Sequence, residues 1–375
     1  MRVILVCGAG IVSGKEIISL QLLSELKERG YECLCIVSSW GSEDFKNRLG
    51  ELGIPFKIFR IGFISKTFSW SAMKMTLEQV IYLPKMYFDY VSLLRRFKPE
   101  IIIHTNFHHL FLFYPVVSSS QKNIYWSHEI ISDVPFYRRL FRLFRRKVDM
   151  FIGVSQAVTT SLASIVGKEQ TWTIRNGVLK PLQVITEKQK SEPLVLAIVG
   201  QVSRHKGHEL LFNALHLLKV SGNFRLKVVG DGLPEYVQHL HLLSKELGLE
   251  DRIEWCGFVK GVDDIYLNVD WIVVPTINPE PLGLIAMEAG MRGIPAIASN
   301  AGGLPELIKD GENGYLFDSG NAESLSKVIQ KVLILKNCEE FKERSRSIAH
   351  SNFGTDKFGD LFDDILKGLV KARND

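Results

Sequence analysis

Twice along this chain a short, almost unbroken apolar run ends in a glycine turn and gives way to an amphipathic stretch. That repeated unit restricts the available folds more than any other feature. The first copy is RVILVC (2–7), followed by GAGIVSGKE and the helical pattern IISLQLLSELKERG; the second is PLVLAIVG (193–200), followed by a glycine turn and ELLFNALHLLK. Short, β-branched apolar runs alternating with helical segments read as strands buried on both faces, in a parallel sheet covered by helices on either side. ECLCIVS, IIIHTN (101–106), NIYWSH (123–128) and MFIGVS (150–155) continue the first series. RLKVVGDG (225–232), RIEWCGF (252–258), DWIVVPT (270–276) and IPAIASN (294–300) continue the second. Between the two lies the polar, proline-bounded stretch VLKPLQVITEKQKSEP (178–193), a natural linker. The pattern predicts an α/β protein of two Rossmann-like doubly wound domains, residues 1–178 and 179–352, facing a cleft at the carboxyl ends of their strands. The amphipathic tail within 353–375 reads either as a crossover helix packing back on the first domain or as the last helix of the second.

Length and composition agree with two soluble cores. At 375 residues, 46% hydrophobic and 23% charged, the chain is too long for one ordinary core and carries no signature of disorder. No apolar run reaches the roughly 18–20 residues that cross a bilayer, and MRVILVCGAG reads as a first strand rather than a signal peptide. A cytoplasmic location is the expectation. Cys7, Cys33, Cys35, Cys256 and Cys338 have neither zinc-site spacing nor the even number of a disulfide framework. They read as buried thiols. Charge is divided unevenly: residues 1–180 hold 24 Lys+Arg against 14 Asp+Glu, a net +10, and the remainder carries −5 of the overall +5. The two halves are thus suited to different partners.

The chemistry concentrates in NPEPLGLIAMEAGMRGIPAIASNAGGLPELIKDGENGYLF (278–317). Glu280 follows a strand, Pro281-Leu282-Gly283 make a turn, and LIAMEAGM, beginning at Leu284, is the helix that carries Glu288. The unpaired N–H groups and dipole of a helix start attract an anion, and the small Gly283 lets a phosphate approach the backbone. Glu288 can accept hydrogen bonds from vicinal ribose hydroxyls, and Glu280 from hydroxyls of a sugar beyond the phosphate. One anion site between two hydroxyl acceptors fits a nucleotide diphosphate sugar.

This segment resembles the signature of retaining GT-B glycosyltransferases of the family-4 type (glycosyl transferases group 1), in which two glutamates lie eight residues apart. VVGDGLPEYVQHLHLLSKELGLEDRIEWCGFV (228–259) resembles the preceding family segment, AGGLPELIKDGENGYLF the following one, and RNGV (175–178) the interdomain hinge. The likeness is loose in the first domain. It implies that Glu280 is catalytic, that Leu282, Gly283, Leu284 and Glu288 bind the donor, and that Phe258 and Val259 lie against its base. In GQVSRHKGHELL (200–211) Lys206 precedes a helix and can reach a phosphate as a catalytic and donor-binding cation. Gln201 stands where the family has arginine, and Arg204 could supply the charge instead. In the first domain Gly10 and Gly14 would allow close approach of the donor, and His128 would face the reacting sugar. Gly8, Gly10 and Gly14 also resemble a dinucleotide-binding turn, but the next strand ends in Ser38-Ser39-Trp40 without the acidic residue that NAD requires.

No Asp-x-Asp occurs in the chain, and His104, His108 and His109 lack the carboxylates of a metal site. The expectation is therefore no metal and no cofactor, with the nucleotide diphosphate sugar as substrate. FYRRLFRLFRRKVD (136–149) interleaves Arg138, Arg139, Arg142, Arg145, Arg146 and Lys147 with Phe136, Leu140, Phe141, Leu143 and Phe144. Such a segment either lies on an anionic membrane or packs on the sheet with a solvated basic face. A saccharide or lipid-linked acceptor fits the basic half, and nucleic acid does not, for want of a recognition module. The resemblance implies transfer with retention by a front-face route. Two alternatives stay open: a GT-B sugar-nucleotide epimerase, or a catalytically silent sugar-nucleotide-binding protein.

Overall fold

The computed structural model describes all residues except 9–11, 13, 62–69, 179–192, 219–222, 336–338 and 375. Gly10 and most of the linker stretch lie outside the described residues. The chain divides into two units: Met1–Gly177 with Thr355–Asp375, and Val178–Gly354.

Unit 1 runs β1 (Arg2–Val6), α1 (Gly14–Glu28), β2 (Glu32–Ser38), α2 (Glu43–Glu51), β3 (Phe56–Phe59), α3 (Trp70–Phe97) and β4 (Ile101–His104). It continues through α4 (Phe107–Phe113), β5 (Lys122–Ser127), α5 (Pro135–Phe144), β6 (Met150–Gly153), α6 (Gln156–Val166) and β7 (Thr171–Thr173). The strands form a parallel sheet ordered β3-β2-β1-β4-β5-β6-β7. The central strands are buried along almost their whole length, which explains their uninterrupted apolar sequences.

Unit 2 runs β8 (Leu194–Val199), α7 (His208–Leu217), β9 (Phe224–Val229), α8 (Pro234–Glu246), β10 (Ile253–Gly257), α9 (Val262–Tyr266) and β11 (Trp271–Val274). Then come α10 (Leu284–Met291), β12 (Ala296–Ser299), α11 (Leu304–Leu307), β13 (Gly314–Phe317), α12 (Ala322–Leu333) and α13 (Glu339–Phe353). Its sheet is again parallel, ordered β10-β9-β8-β11-β12-β13. In both sheets the order reverses beside the first strand, between β1 and β4 and between β8 and β11. Ligands of doubly wound proteins collect at such reversals.

The chain leaves unit 2 at Gly354, and α14 (Thr355–Asn374) belongs to unit 1. Phe358 and Phe362 bury their rings near Trp126, with centroids 6.0 and 5.0 Å away. Arg29 at the end of α1 donates to Asp360 at 2.8 Å, and Tyr31 donates to Asp363 at 2.5 Å. One aromatic wedge and two polar ties thus hold α14 where it lies.

Cys7, Cys33 and Cys35 are buried and Cys256 is half-buried, and none of these four forms a disulfide. Burial raises the Cys7, Cys33 and Cys35 thiols above their usual range, Cys33 to about 12, which keeps them protonated and unreactive.

Candidate active site

Unit 2 builds its polar site from two loops that leave β8 and β11 side by side. After β8, residues 200–203 lead into one turn of 3-10 helix, Arg204–Lys206, and Gly207 then opens α7. Lys206 therefore sits just before the helix rather than inside its first turn. After β11, the chain carries Glu280 through a loop to Gly283, which opens α10. The loops are joined where Ile277 N–H donates to the carbonyl of His205 at 2.9 Å.

Glycine makes this joint possible. Gly207 has φ 79°, and a Cβ there would stand 1.9 Å from the Pro275 carbonyl oxygen. Gly207→Ala combines a left-handed backbone with a clash against main chain, so we expect a loss of about 2 kcal/mol or more, read as a lowered midpoint in denaturant. An unchanged midpoint would mean that the two loops are not packed as described. Gly302 works the same way under Glu280: its Cβ would lie 2.1 Å from the Glu280 carbonyl oxygen, which also accepts from Gly303 N–H at 2.8 Å.

Glu280 is thus fixed through its backbone, and its carboxylate is fixed by Lys206. The Lys206 ammonium donates to both Glu280 oxygens, at 3.2 and 3.0 Å, and both side chains are about three-quarters buried. An ammonium has three N–H donors, so this arrangement leaves capacity for one more acceptor. No side chain caps α10 at Gly283, so the first N–H groups of that helix remain oriented toward the same loop. Leu282 is buried against the unit, and Leu284 begins the helix.

Glu288 lies on α10, where the Tyr266 hydroxyl donates to its carboxylate at 2.8 Å. Burial raises the Glu288 carboxyl above its usual range, while the Tyr266 hydrogen bond and the Arg292 charge pull it back down. Arg292 itself is held by Asp263 and donates to the Glu288 carbonyl at 3.0 Å. Its guanidinium stands 4.8 Å from the centre of the Tyr266 ring. Tyr266 and Arg292 escaped the sequence reading, since nothing in the sequence marks a tyrosine 22 positions away as the partner of Glu288.

Arg204 is directed elsewhere. Its guanidinium approaches Glu209 at 3.5 Å and the Tyr236 ring at 5.3 Å, away from the Lys206–Glu280 pair. The exposed Gln201 and Arg204 border a cavity of about 310 Å³ together with Tyr236 and His239. Phe258 and Val259 follow β10, and the Phe258 ring is largely exposed, at 74%.

In unit 1, Gly14 begins α1 and is followed by Lys15 and the buried Glu16, which pair at 3.3 Å. His128 follows β5, packed on Trp126 with ring centroids 4.4 Å apart, and among the described residues no group bonds its buried Nε2. Burial, aided by the Lys15 charge, lowers His128 to about 3; His109 falls to about 3 and His104 to about 4 for the same main reason. These rings are neutral at physiological pH, suited to hydrogen bonding rather than to carrying charge. The Ser127 hydroxyl beside His128 donates to the Glu129 carbonyl at 3.0 Å. Among the described residues no three His, Cys, Asp or Glu side chains come together as metal ligands do.

Both halves of the chain are similar to known proteins. Residues 183–348 match the family model for glycosyl transferases group 1, and residues 12–178 match that for glycosyltransferase family 4. An uncharacterized glycosyltransferase of Methanocaldococcus jannaschii is 32% identical over 39% of this chain and 37% of its own length. The lipopolysaccharide core biosynthesis glycosyltransferase LpsE of Rhizobium meliloti is 24% identical over 56% of this chain and 64% of its own. In both, the match spans less than two thirds of the relative. A crystal structure of Anabaena HepE in complex with UDP and glucose superposes with a TM-score of 0.80 at 21% identity, covering 98% of this chain and 100% of that one. That likeness gives the fold, two Rossmann-like domains of the GT-B type. With both halves matched by their own family models, the chain belongs to the group 1, family-4 glycosyltransferases.

Proposed function

We propose that the protein transfers a sugar from a nucleotide diphosphate donor to a hydroxyl acceptor with retention at the anomeric carbon and without a metal. The observation that carries this reading is the Lys206–Glu280 pair beside the uncapped start of α10. A cation and a helix terminus there supply positive potential for a diphosphate, and a carboxylate fixed beside them accepts hydroxyls of the attached sugar. HepE, bound to UDP and glucose, supports a donor of this class.

In the reaction, the bond from the anomeric carbon to the β-phosphate oxygen breaks, and a bond to the acceptor oxygen forms on the same face. The acceptor proton passes to the departing phosphate. Lys206 stabilises the charge that collects on the leaving group, Glu280 holds the sugar, and Glu288 holds the ribose. For Gly14 and the neutral His128 of unit 1 the proposal keeps the roles that the family resemblance implies. LpsE supports an acceptor in cell-surface polysaccharide or glycolipid synthesis, saccharide or lipid-linked. Cytoplasmic placement, with peripheral attachment to an anionic membrane through 136–149, belongs to the same reading. In α5 the apolar Leu140, Phe141 and Phe144 are buried while Arg138, Arg139 and Arg142 are exposed, so this helix packs on the sheet and presents its basic residues, with Phe136 at its start, to solvent.

The test uses a panel of α-linked nucleotide diphosphate sugars with saccharide and lipid-linked acceptors, following products by NMR. We expect an α-linked product and a rate unchanged by EDTA. A β-linked product would overturn retention. Activity lost in EDTA and restored by magnesium or manganese would overturn metal independence. Donor binding without turnover on any acceptor would favour a silent binding protein.

A further inference from the structure

Helix α3 is apolar on two opposite sides. One side packs into unit 1: Met86, Tyr90 and Leu94 are buried, and Tyr90 stacks on Phe113 of α4 with centroids 4.3 Å apart. The other side faces solvent with Trp70, Met73, Leu77, Val80, Ile81 and Phe88, between 51% and 87% exposed. Steps of three, four and seven positions, with Val80 beside Ile81, set these residues in one stripe along the helix. Soluble surfaces scatter single apolar residues, whereas a stripe of six large ones marks a contact. Lys74, Lys85, Arg95 and Arg96 flank or extend it, all exposed.

The same helical layer carries the arginine-rich face of α5. Tyr90 of α3 meets Phe113 at the end of α4, Tyr114 meets Phe144 of α5 at 5.8 Å, and Lys147 donates to the Tyr114 carbonyl at 2.9 Å. Lys147 is thus turned inward, and Arg138, Arg139, Arg142, Arg145 and Arg146 are the exposed cations. Phe111 on α4 and Phe136 on α5 are also exposed.

We propose that this layer is a lipid-docking face: the outer stripe of α3 enters the interface of an anionic phospholipid bilayer while the α5 arginines bind its headgroups. The proposal extends the attachment through α5 suggested above by adding the element that inserts. The chemistry favours lipid over a second copy of this chain. A two-fold dimer that covered the whole layer would put the arginines of both copies into one interface, whereas an anionic leaflet attracts them and accepts the stripe. Trp70 and Phe88 near the ends of the stripe, with lysines beside it, suit the boundary between headgroups and acyl chains.

The full chain is sedimented with vesicles of phosphatidylcholine alone or mixed with phosphatidylglycerol, at 0.1 M and 1 M NaCl. We expect strong binding to the anionic vesicles and only weak binding to phosphatidylcholine alone. Arg139→Glu/Arg142→Glu/Arg146→Glu should bind about a hundredfold more weakly at 0.1 M, at roughly fivefold per cation. Leu77→Ser/Ile81→Ser/Phe88→Ser should retain the salt-sensitive binding and lose the fraction that survives 1 M salt, where charge attraction is screened within about 3 Å. Vesicles should shift the tryptophan emission to the blue, and Trp70→Phe should remove most of that shift. Loss in the arginine variant with wild-type behaviour in the α3 variant would overturn insertion while leaving attachment in place. Equal binding to both vesicles, or a vesicle-free dimer abolished by the α3 variant, would overturn the proposal.

Discussion

Lys206→Ala is expected to lower turnover by about 10²–10³-fold, the usual cost of removing one preorganised charge from a developing anion. The reason lies in what Lys206 touches. Its ammonium spends two donors on Glu280, at 3.2 and 3.0 Å, in a pair about three-quarters buried. The remaining donor is available to a phosphate oxygen of the leaving group, whose charge grows as the sugar departs. Donor affinity should fall less than turnover, because in the proposed function the ground-state diphosphate also meets the start of α10. Removing Lys206 further leaves Glu280 with an unpaired charge beside the sugar. For that reason Glu280→Ala and the double variant complete the test. If the two side chains act as one unit, the double variant should be little slower than the slower single one. Lys206→Arg, which keeps the charge but changes its shape, should recover part of the rate. Turnover within threefold of wild type in Lys206→Ala would remove this pair from the reaction.

The architecture of both sheets could be read from the sequence because their central strands are buried on both faces and must be continuously apolar. β3 and β7 could not. They lie at the two ends of their sheet, and Lys57, Ile58 and Trp172 face solvent, so neither reads as a buried run. Helix α3 was not read from the sequence, although its outer apolar residues recur at helical spacing. The candidate site was legible where its residues are close in sequence, from Glu280 to Glu288. It was not legible where the fold brings distant residues together. Lys206 and Glu280 are joined across 74 positions because β8 and β11 are neighbours, and a sequence period carries no such information. Arg204 shows the opposite limit. Its charge suits a phosphate, but the single turn that carries it directs it to Glu209 and Tyr236.

Glu288→Ala is expected to weaken donor binding about a hundredfold or more, since two hydrogen bonds to a charged group, at roughly 1.5 kcal/mol or more each, together contribute about 3 kcal/mol. Its stability should not fall in parallel. Burial raises the Glu288 carboxyl above its ordinary value, so the folded chain binds this proton more readily than the unfolded one. Stability therefore declines as pH rises from the unfolded value through the raised one, and above both it stays lower by a constant amount. Replacing the group by Gln removes that cost, so Glu288→Gln should be at least as stable as wild type at neutral pH while binding donor poorly. Donor affinity has the opposite dependence: it is full above the raised value and falls as acid protonates the carboxylate. Tyr266 provides the decisive control. Its hydroxyl, 2.8 Å from Glu288, favours the charged form, and Tyr266→Phe takes that support away. The acid limb of donor affinity, measured by titration calorimetry across pH, should then move to higher pH while the affinity reached at alkaline pH changes little. A limb that stays in place in Tyr266→Phe, or donor affinity unchanged in Glu288→Ala, would show that Glu288 does not hold the nucleotide.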